Sequence, residues 1–362
     1  MKIKNIFFAA ILVLAGFSCS MEDDAIMNDV EKGIEEATEA YTVLDFGVAF
    51  NEMATKASTT VVPGEDRLAT GNENNDEKKI SEVSVFLLED GKVIGILIPQ
   101  NRNQVSSNSD GSITLKDLKF VTKYKTNRTL EAHVVINGNQ FLKNINIGDA
   151  QSALNQQISG CLSADQLIKY GSTRIVFGKD ITNSYPSPSV AENNPTTILV
   201  KVSHVAARLD FSQFDVTLKG FEGNPTVVFD EAKFVNLQQN GKIVEGDASV
   251  NVKDGAFLNR SNRIGTRWTD MGTAYGYANQ YRQDSEMNTA LYVKFTVDGR
   301  TFEKTYPINP AGITKEVDHN GIKGGYLYDI KVRWTITPDW GDSTIEFYTR
   351  DWVHNTIPEI VL

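Results

Sequence analysis

The cysteine at position 19 is the residue of this chain with the clearest chemistry, and it follows a short apolar segment. Lys2 and Lys4 precede an apolar run from Ile6 to Leu14, and small residues lead from there to Cys19. A basic start, a short apolar run and a small-residue cleavage zone are typical of a secretory signal peptide. The run is shorter than the roughly 20 apolar residues that span a bilayer, so we predict that residues 1–18 are removed.

A cysteine directly after the cleavage zone is what bacterial lipoprotein processing requires, because its thiol accepts the lipid before the peptide is cut. We therefore predict that Cys19 is lipidated and that the lipid anchors the protein to the outer membrane. Gly16 departs from the usual pattern, which has leucine three residues before the cysteine. The alternative is a plain secretory signal with a coincidental cysteine. With Cys19 lipidated, Cys161 remains alone and cannot form a disulfide within the chain.

Residues that could support catalysis or hold a metal are scattered along the sequence. No pair of histidines or cysteines has the His-x3-His or Cys-x2-Cys spacing of a structural zinc site. The sequence also lacks the G-x-S-x-G nucleophile turn and the phosphate-binding P-loop. We therefore expect no enzymatic activity and no cofactor. The histidines are His133, His204, His319 and His354.

The segment from Ser106 to Gly111, with Asp117 further along, approximates the ligand spacing of an EF-hand calcium loop. Serine stands where that loop has its first aspartate, and Asp117 stands where it has a bidentate glutamate. The flanking residues alternate as strands do, whereas an EF-hand loop lies between helices. We therefore expect a polar hairpin loop here, with calcium binding as the alternative.

An aromatic segment near position 275 is a second candidate for ligand recognition. Aromatic faces beside polar groups are suited to binding a sugar or a partner protein. Gly272 and Gly276 in the same stretch indicate a long loop, whose aromatics would usually pack onto their own domain. We favour packing, with recognition as the alternative. The residues concerned are Arg267, Trp268, Tyr275, Tyr277, Tyr281 and Arg282.

The charge balance of the chain limits its partners. The sequence has 36 basic and 46 acidic residues, a net charge of −10. Removal of residues 1–18, which hold two of the lysines, leaves 34 basic residues and a net charge of −12. An acidic chain repels nucleic acid and anionic membrane surfaces. We therefore expect no nucleic-acid partner, and we expect membrane contact through the lipid.

The first element after the signal is a strand. Within the segment from Tyr41 to Phe50, apolar residues occupy every second position from 44 to 50, which predicts a half-buried strand with Leu44, Phe46, Val48 and Phe50 facing inward. The polar stretch 51–79 follows, with little apolar side chain to dock, so we expect an exposed linker. Its basic residues include Lys56 and Arg67.

Short alternating segments separated by turn residues continue to the C-terminus. Residues 149–170 have the one convincing helical spacing, and a cluster of proline and asparagine over 185–195 marks the best domain boundary. The sequence thus predicts a mainly β fold of two tandem β-sandwich domains with Greek-key-like topology and few short helices. The leader is placed at 19–67, the N-terminal sandwich at 68–190 and the C-terminal sandwich at 198–362.

The order of these features resembles the fimbrillin family of Bacteroidetes, the FimA-like and Mfa-like subunits of type V pili. The resemblance covers nearly the whole chain. It includes the lipoprotein leader with its acidic run after Cys19, similar to a surface-export signal, and the strand before a linker. The other segments that carry it are Ala69–Leu88, Val202–Leu209 and Gly325–Val332.

The resemblance implies a structural role with other fimbrial subunits as partners. Such subunits reach the cell surface as lipoproteins, and a protease of arginine or lysine specificity removes the lipidated leader with the first strand. We favour Arg67 over Lys56 as the cut site. The departing strand would leave a groove that a strand of the next subunit fills by β-augmentation, which gives a head-to-tail filament.

The donor strand is expected at the C-terminus, in residues 353–362. Its candidate groove-filling residues are Val353, Ile357, Ile360 and Leu362. Pro358 lacks a backbone N–H, so that strand would need an edge position or a kink there. The alternative is a C-terminal strand that folds on its own domain.

Two other functions stay open. A surface glycan-binding lipoprotein would keep its lipid and need an exposed aromatic platform. An anchor subunit of a fimbria would keep its lipid and leader strand, and a tip subunit would carry an adhesive face for a host or bacterial surface ligand.

Overall fold

The computed structural model describes residues 39–50, 75–108, 112–255, 263–310, 319–339 and 341–351. The described residues form strands joined by turns and short helices, which confirms the predicted mainly β fold class. Among them, no helix combines the length and the apolar character needed to cross a bilayer. The predicted lipidation site Cys19, the predicted cut sites Lys56 and Arg67, and the candidate donor residues Val353, Ile357, Ile360 and Leu362 lie outside the described residues.

The first part of the chain builds an eight-stranded sheet in the order β3-β2-β6-β8-β9-β1-β5-β4. The sheet curls over, because β2 and β6 near one end line the same apolar core as β1, β5 and β9 near the other. The strands are β1 (Tyr41–Phe50), β2 (Val83–Glu89), β3 (Lys92–Leu97), β4 (Val105–Ser107), β5 (Ile113–Lys123), β6 (Thr129–Ile136), the separate short β7 (Gln157–Ser159), β8 (Lys169–Val176) and β9 (Thr196–His204).

The second part is a sandwich of a four-stranded sheet, in the order β15-β10-β18-β19, and a three-stranded sheet, in the order β11-β16-β17. Phe214 lies at the centre of its core, with its ring edge-on to Phe229 and Phe295 and stacked on Trp268. The strands are β10 (Ala207–Leu218), β11 (Val227–Val235), β12 (Leu237–Gln238), β13 (Asn240–Lys242), β14 (Val252–Lys253), β15 (Arg267–Gly276), β16 (Ala290–Val297), β17 (Arg300–Pro307), β18 (Tyr326–Ile336) and β19 (Gly341–Asp351).

The two sandwiches are joined by a third apolar cluster and by strand pairing. Phe86 and Val135 of the first sandwich share this cluster with Tyr277 and Leu327 of the second. Strand β7 pairs with β13 across the junction. The helices are α1 (Asn139–Leu142) and α2 (Pro188–Glu192), and 3-10 turns span Asn75–Lys78, Arg102–Gln104, Gln151–Leu154 and Ala164–Gln166.

The helix predicted for residues 149–170 is wrong. This stretch forms two 3-10 turns and β7, and the left-handed backbone of Gly160 and Cys161, with φ of 74° and 55°, breaks any helix. The third apolar cluster, between the two sandwiches, buries the apolar residues of this stretch, Leu154, Ile158, Leu167 and Ile168. Their spacing therefore reflects packing against the two sandwiches and not the turns of a helix. Cys161 is partly buried.

The strand placed at the start of the second sandwich belongs to the first. Strand β9 pairs with β1 and β8 in the eight-stranded sheet, and the chain enters the second sandwich at Ala207. An alternating pattern identifies a strand but not its partners, so the proline-rich boundary before it was misleading. The segment expected as an aromatic loop begins with strand β15, and a Cβ atom built on its Gly276 would lie 3.3 Å from Leu237 Cδ2.

Candidate functional site

Strand β1 is an inner strand of the eight-stranded sheet and lies between β9 and β5. It runs parallel to β9, with Leu44 opposite Thr196 and Phe50 opposite Val202. It runs antiparallel to β5, with a register shift between Leu44 and Phe46 where β5 bulges at Asp117. Within the described strands, β5 and β9 are not paired with each other, so β1 is the strand that joins the edge of β5 to the edge of β9.

The inward side chains of β1 fill the core of the first sandwich. Leu44, Phe46 and Val48 are fully buried, and Phe50 is 8% exposed. They pack with residues of β2, β5, β6 and β9 in one cluster. Burying a side chain of this size contributes roughly 1.5–3 kcal/mol. On the opposite face Val43 is also fully buried, and α2 lies against the strand.

The start of β1 is fixed by short polar contacts at the surface. The backbones of Tyr41 and Tyr185 exchange two N–H···O hydrogen bonds of 2.8 Å, and Tyr124 N donates to Ala40 O at 2.7 Å. Lys123 and Glu39 form an ion pair, and the hydrogen bond from Lys123 lowers the pKa of Glu39. Both side chains are exposed, so this pair adds little to stability. The strand is therefore held mainly by its backbone pairing and its apolar face.

The chain beyond residues 51–74 is anchored in the junction between the sandwiches. Glu77, in the 3-10 turn Asn75–Lys78, is fully buried. Its Oε2 accepts a hydrogen bond from Arg208 Nη1 at 2.9 Å, and its Oε1 accepts one from the Tyr275 hydroxyl. Arg208 Nε also donates to Asp210 Oδ1 at 2.9 Å. A carboxylate of the turn is thus bound by a guanidinium and a phenol of the second sandwich.

The charges of this network are shifted by burial. Desolvation raises the pKa of Glu77, and the nearby Arg208 guanidinium opposes that shift. Lys169, fully enclosed in β8, donates to the Leu167 carbonyl oxygen, and burial lowers its pKa to about 7. Burial also raises the pKa of Tyr275, which keeps the phenol protonated as a donor to Glu77. The network is a structural joint between the sandwiches.

The residues that follow the turn are held in place by hydrogen bonds and by burial. Asn137 Nδ2 donates to the Lys79 carbonyl oxygen at 2.9 Å, and Asn137 Oδ1 accepts from Ser81 N at 2.9 Å. Ile80 is fully buried in the first core. From Asn75 onward the chain is therefore part of the fold, and both predicted cut sites precede this anchored segment.

The aromatic segment does not provide an exposed platform. Trp268 and Tyr277 are buried, with Trp268 in the core of the second sandwich and the Tyr277 hydroxyl bound to the Gly160 carbonyl oxygen at 2.7 Å. Tyr275 belongs to the Glu77 network. These tyrosines and the tryptophan serve the core and the junction, which is the packing interpretation favoured by the sequence.

The other candidate chemical residues have structural surroundings. His133 Nδ1 is 2.8 Å from the Tyr170 hydroxyl, and burial lowers the pKa of His133. Ser106 and Ser107 lie in β4 and pair with β5. Across the described part of the chain, no group of three or more histidine, cysteine, aspartate or glutamate residues is placed to hold a metal ion. Residues 109–111 of the candidate calcium loop lie outside that part.

Comparison with known proteins gives a fold match without a sequence match. No protein-family model and no curated protein sequence matches the chain. A "putative cell adhesion protein" from Parabacteroides distasonis ATCC 8503 has 17% identity, a TM-score of 0.58, and coverage of 87% of this chain and 98% of that chain. A second protein of that description from the same organism has 13% identity, a TM-score of 0.50, and coverage of 87% and 99%.

A fimbrilin (FimA) from Porphyromonas gingivalis W83 also matches, with 14% identity, a TM-score of 0.49, and coverage of 89% and 100%. At identities this low a likeness concerns the fold alone. The chain has the fold of the two Parabacteroides distasonis proteins over nearly its whole described length. Proteins described as fimbrial or as cell adhesion proteins are among the solved structures that match.

Proposed function

We propose that this chain is the precursor of a structural subunit of a cell-surface fimbria, and that it polymerises when its first strand is cut away and replaced. One observation carries the proposal. Strand β1 is an inner strand with an apolar face, yet residues 51–74 separate it along the chain from the anchored turn at Asn75–Lys78. A cut in that segment would leave β1 without a covalent connection to the fold.

Loss of β1 would leave a groove that only another strand could fill. The edges of β5 and β9 would each expose unpaired backbone N–H and C=O groups, and the apolar core would be open to water. Unpaired strand edges recruit other strands, and exposed apolar surface is unfavourable in water. A strand from another subunit satisfies both requirements at once, and the repeated head-to-tail contact builds an open filament.

The processing that we propose starts at the N-terminus. Cys19 carries the lipid that brings the precursor to the outer surface, and a protease then cuts after Arg67 or Lys56. Both positions precede the buried Glu77, so the cut would release β1 and leave the joint between the sandwiches intact. The shared fold with a protein described in terms of cell adhesion supports a role of the finished filament in adhesion.

The donor that we propose is the C-terminal segment 353–362. Strand β19 pairs with β18 and is the last strand of its four-stranded sheet. The chain therefore leaves the described fold from a sheet edge, which is the position from which a terminal strand can extend toward another molecule.

Deletion of residues 353–362 should abolish polymerisation and leave the subunit folded, because the strand would serve another molecule. The experiment cuts the wild type and the deletion variant in the linker with trypsin and follows particle mass by light scattering. Circular dichroism of the uncut proteins provides the control for folding. Long filaments from the deletion variant would exclude the C-terminal donor. If neither protein assembles after the cut, a glycan-binding lipoprotein or an anchor subunit becomes the better interpretation.

A further inference from the structure

The chain between β8 and β9 leaves β1 and returns to it on the same side. At the start of β1, the backbone of Tyr41 pairs with Tyr185 on one side and with β5 on the other. Further along, Leu44 lies opposite Thr196, the first residue of β9. Tyr185 and β9 are therefore on the same side of β1, and β5 is on the opposite side. We call the connecting residues, 185–195, the strap.

Between its two ends the strap crosses to the β5 side. Helix α2, inside the strap, lies against both β1 and β5. On β5, Lys119 Nζ donates to the Glu192 carbonyl oxygen at the end of α2, at 2.7 Å. The inner face of β1 is filled by the core, so the strap passes over the outer face. Val43 on that outer face and Ala191 in α2 are both fully buried.

The outer face of β1 is more open toward the linker. Asp45 and Ala49, which point outward, are half-buried, and Leu199 of the neighbouring β9 is 51% exposed. Where the strap has become β9, the chain lies beside β1 and not over it. Residues 41–44 are therefore enclosed by β5, the core and the strap, whereas residues 46–50 are held by the core and the two neighbouring strands.

We infer that the strap sets the order in which β1 leaves its groove: residues 46–50, next to the cut, separate first, and residues 41–44, under the strap, separate last. This inference rests on the proposed function, because β1 leaves only after the linker has been cut. It concerns the release of β1 and holds for whichever strand takes its place.

The order follows from what each end of β1 loses on separation. A cut in residues 51–74 brings a free chain end close to residues 46–50. Segments beside a free end open at a lower free-energy cost than enclosed segments do, and separation there gives up the pairing with β5 and β9 residue by residue. The start of the strand has the strap contacts to lose as well. An incoming strand would therefore pair first with the vacated part of the groove, beside residues 46–50.

Hydrogen exchange of the two neighbouring strands reports the order of release. Residues 200–202 of β9 pair with residues 48–50 of β1, and residues 120–123 of β5 pair with residues 41–44. In the described structure neither segment pairs in register with a second strand, so its ladder hydrogen bonds report on β1. In the full chain cut in its linker, before assembly, we expect residues 200–202 to lose protection at least about fivefold faster than residues 120–123. In the uncut chain both segments should stay protected.

A disulfide between the strap and β1 provides the second measurement. Tyr41 and Tyr185 exchange two backbone hydrogen bonds, an arrangement that places the two Cα atoms about 5.5 Å apart, within the range of a disulfide. The variant carries Tyr41→Cys and Tyr185→Cys in a background of Cys19→Ser and Cys161→Ser. After oxidation and the cut, we expect residues 200–202 to lose protection as without the disulfide, while β1 stays bound and no filament forms. Reduction should restore both release and assembly.

The outcomes distinguish the order of release from strand exchange itself. Equal rates at the two segments in a cut chain that goes on to form filaments would overturn the inference and leave strand exchange in place. The same conclusion follows if the disulfide also keeps residues 200–202 protected, because β1 would then leave as one unit. If the cut chain without the disulfide keeps both segments protected and never assembles, strand exchange is wrong and the inference fails with it.

Discussion

Replacement of Phe46 by alanine should lower the free energy of unfolding of the uncut subunit by about 3–5 kcal/mol. Phe46 is fully buried in the core of the first sandwich, at the middle of a strand that is paired on both sides. Truncation removes apolar contacts and leaves a cavity that the surrounding strands cannot fill completely. Guanidinium denaturation of the uncut wild type and variant, followed by circular dichroism, measures the difference.

The same substitution should have no effect on assembled protein, because β1 would no longer be present. Phe177→Ala provides the matched control, since Phe177 is buried in the same cluster but follows β8 and stays after the cut. We expect Phe177→Ala to destabilise both the uncut subunit and the assembled filament. A filament in which Phe46→Ala is as damaging as Phe177→Ala would mean that β1 has not been replaced.

Glu77→Ala should lower the free energy of unfolding by about 3–5 kcal/mol in the uncut subunit and in the cut product alike. The substitution removes the carboxylate that accepts hydrogen bonds from Arg208 Nη1 and from the Tyr275 hydroxyl in the buried joint. Breaking a buried pair is costly because one charge stays buried without full compensation. Denaturation of both forms measures the loss.

The double substitution Glu77→Ala with Arg208→Met is the control for this mechanism. Removing both charges together should recover part of the stability, since methionine fills space without requiring a counter-charge. A single Glu77→Ala variant within about 0.5 kcal/mol of the wild type, the range of ordinary surface substitutions, would contradict the role of Glu77 as the joint between the sandwiches.

Strand β1 could be predicted from the sequence because its pattern is local. Large apolar residues occupy every second position from Leu44 to Phe50, and polar segments flank the strand on both sides. The hairpin of β2 and β3 is similarly local, with Asp90 and Gly91 both at positive φ in the turn. Such elements are set by neighbouring residues, so a single sequence is enough to find them.

The joint between the sandwiches was not predictable because its partners are distant in sequence. Glu77 lies in a polar stretch of the kind that usually forms an exposed loop. Its partners are distant in sequence: Arg208 is 131 positions away and Tyr275 is 198 positions away. The buried Lys169 gave no signal either, because lysine at a strand end usually reaches solvent. Contacts of this kind depend on how two domains dock, which alternation and turn residues do not encode.

The position of β1 in the sheet could not be predicted from the sequence either. Its alternation predicts which side chains face inward, but not that β9 lies parallel beside it or that β5 lies on its other side. That placement is what makes β1 an inner strand. An edge strand with the same sequence would leave no groove when it departs.

The N-terminal sequence of the protein in purified surface filaments tests the central claim most directly, because it reports both the cut and the loss of β1. We predict that the chain in filaments begins at Leu68 or Ala57 and that no peptide from residues 19–50 accompanies it. A filament protein that begins at the lipidated Cys19 and retains β1 would contradict the account and would identify the chain as a subunit that does not exchange its first strand.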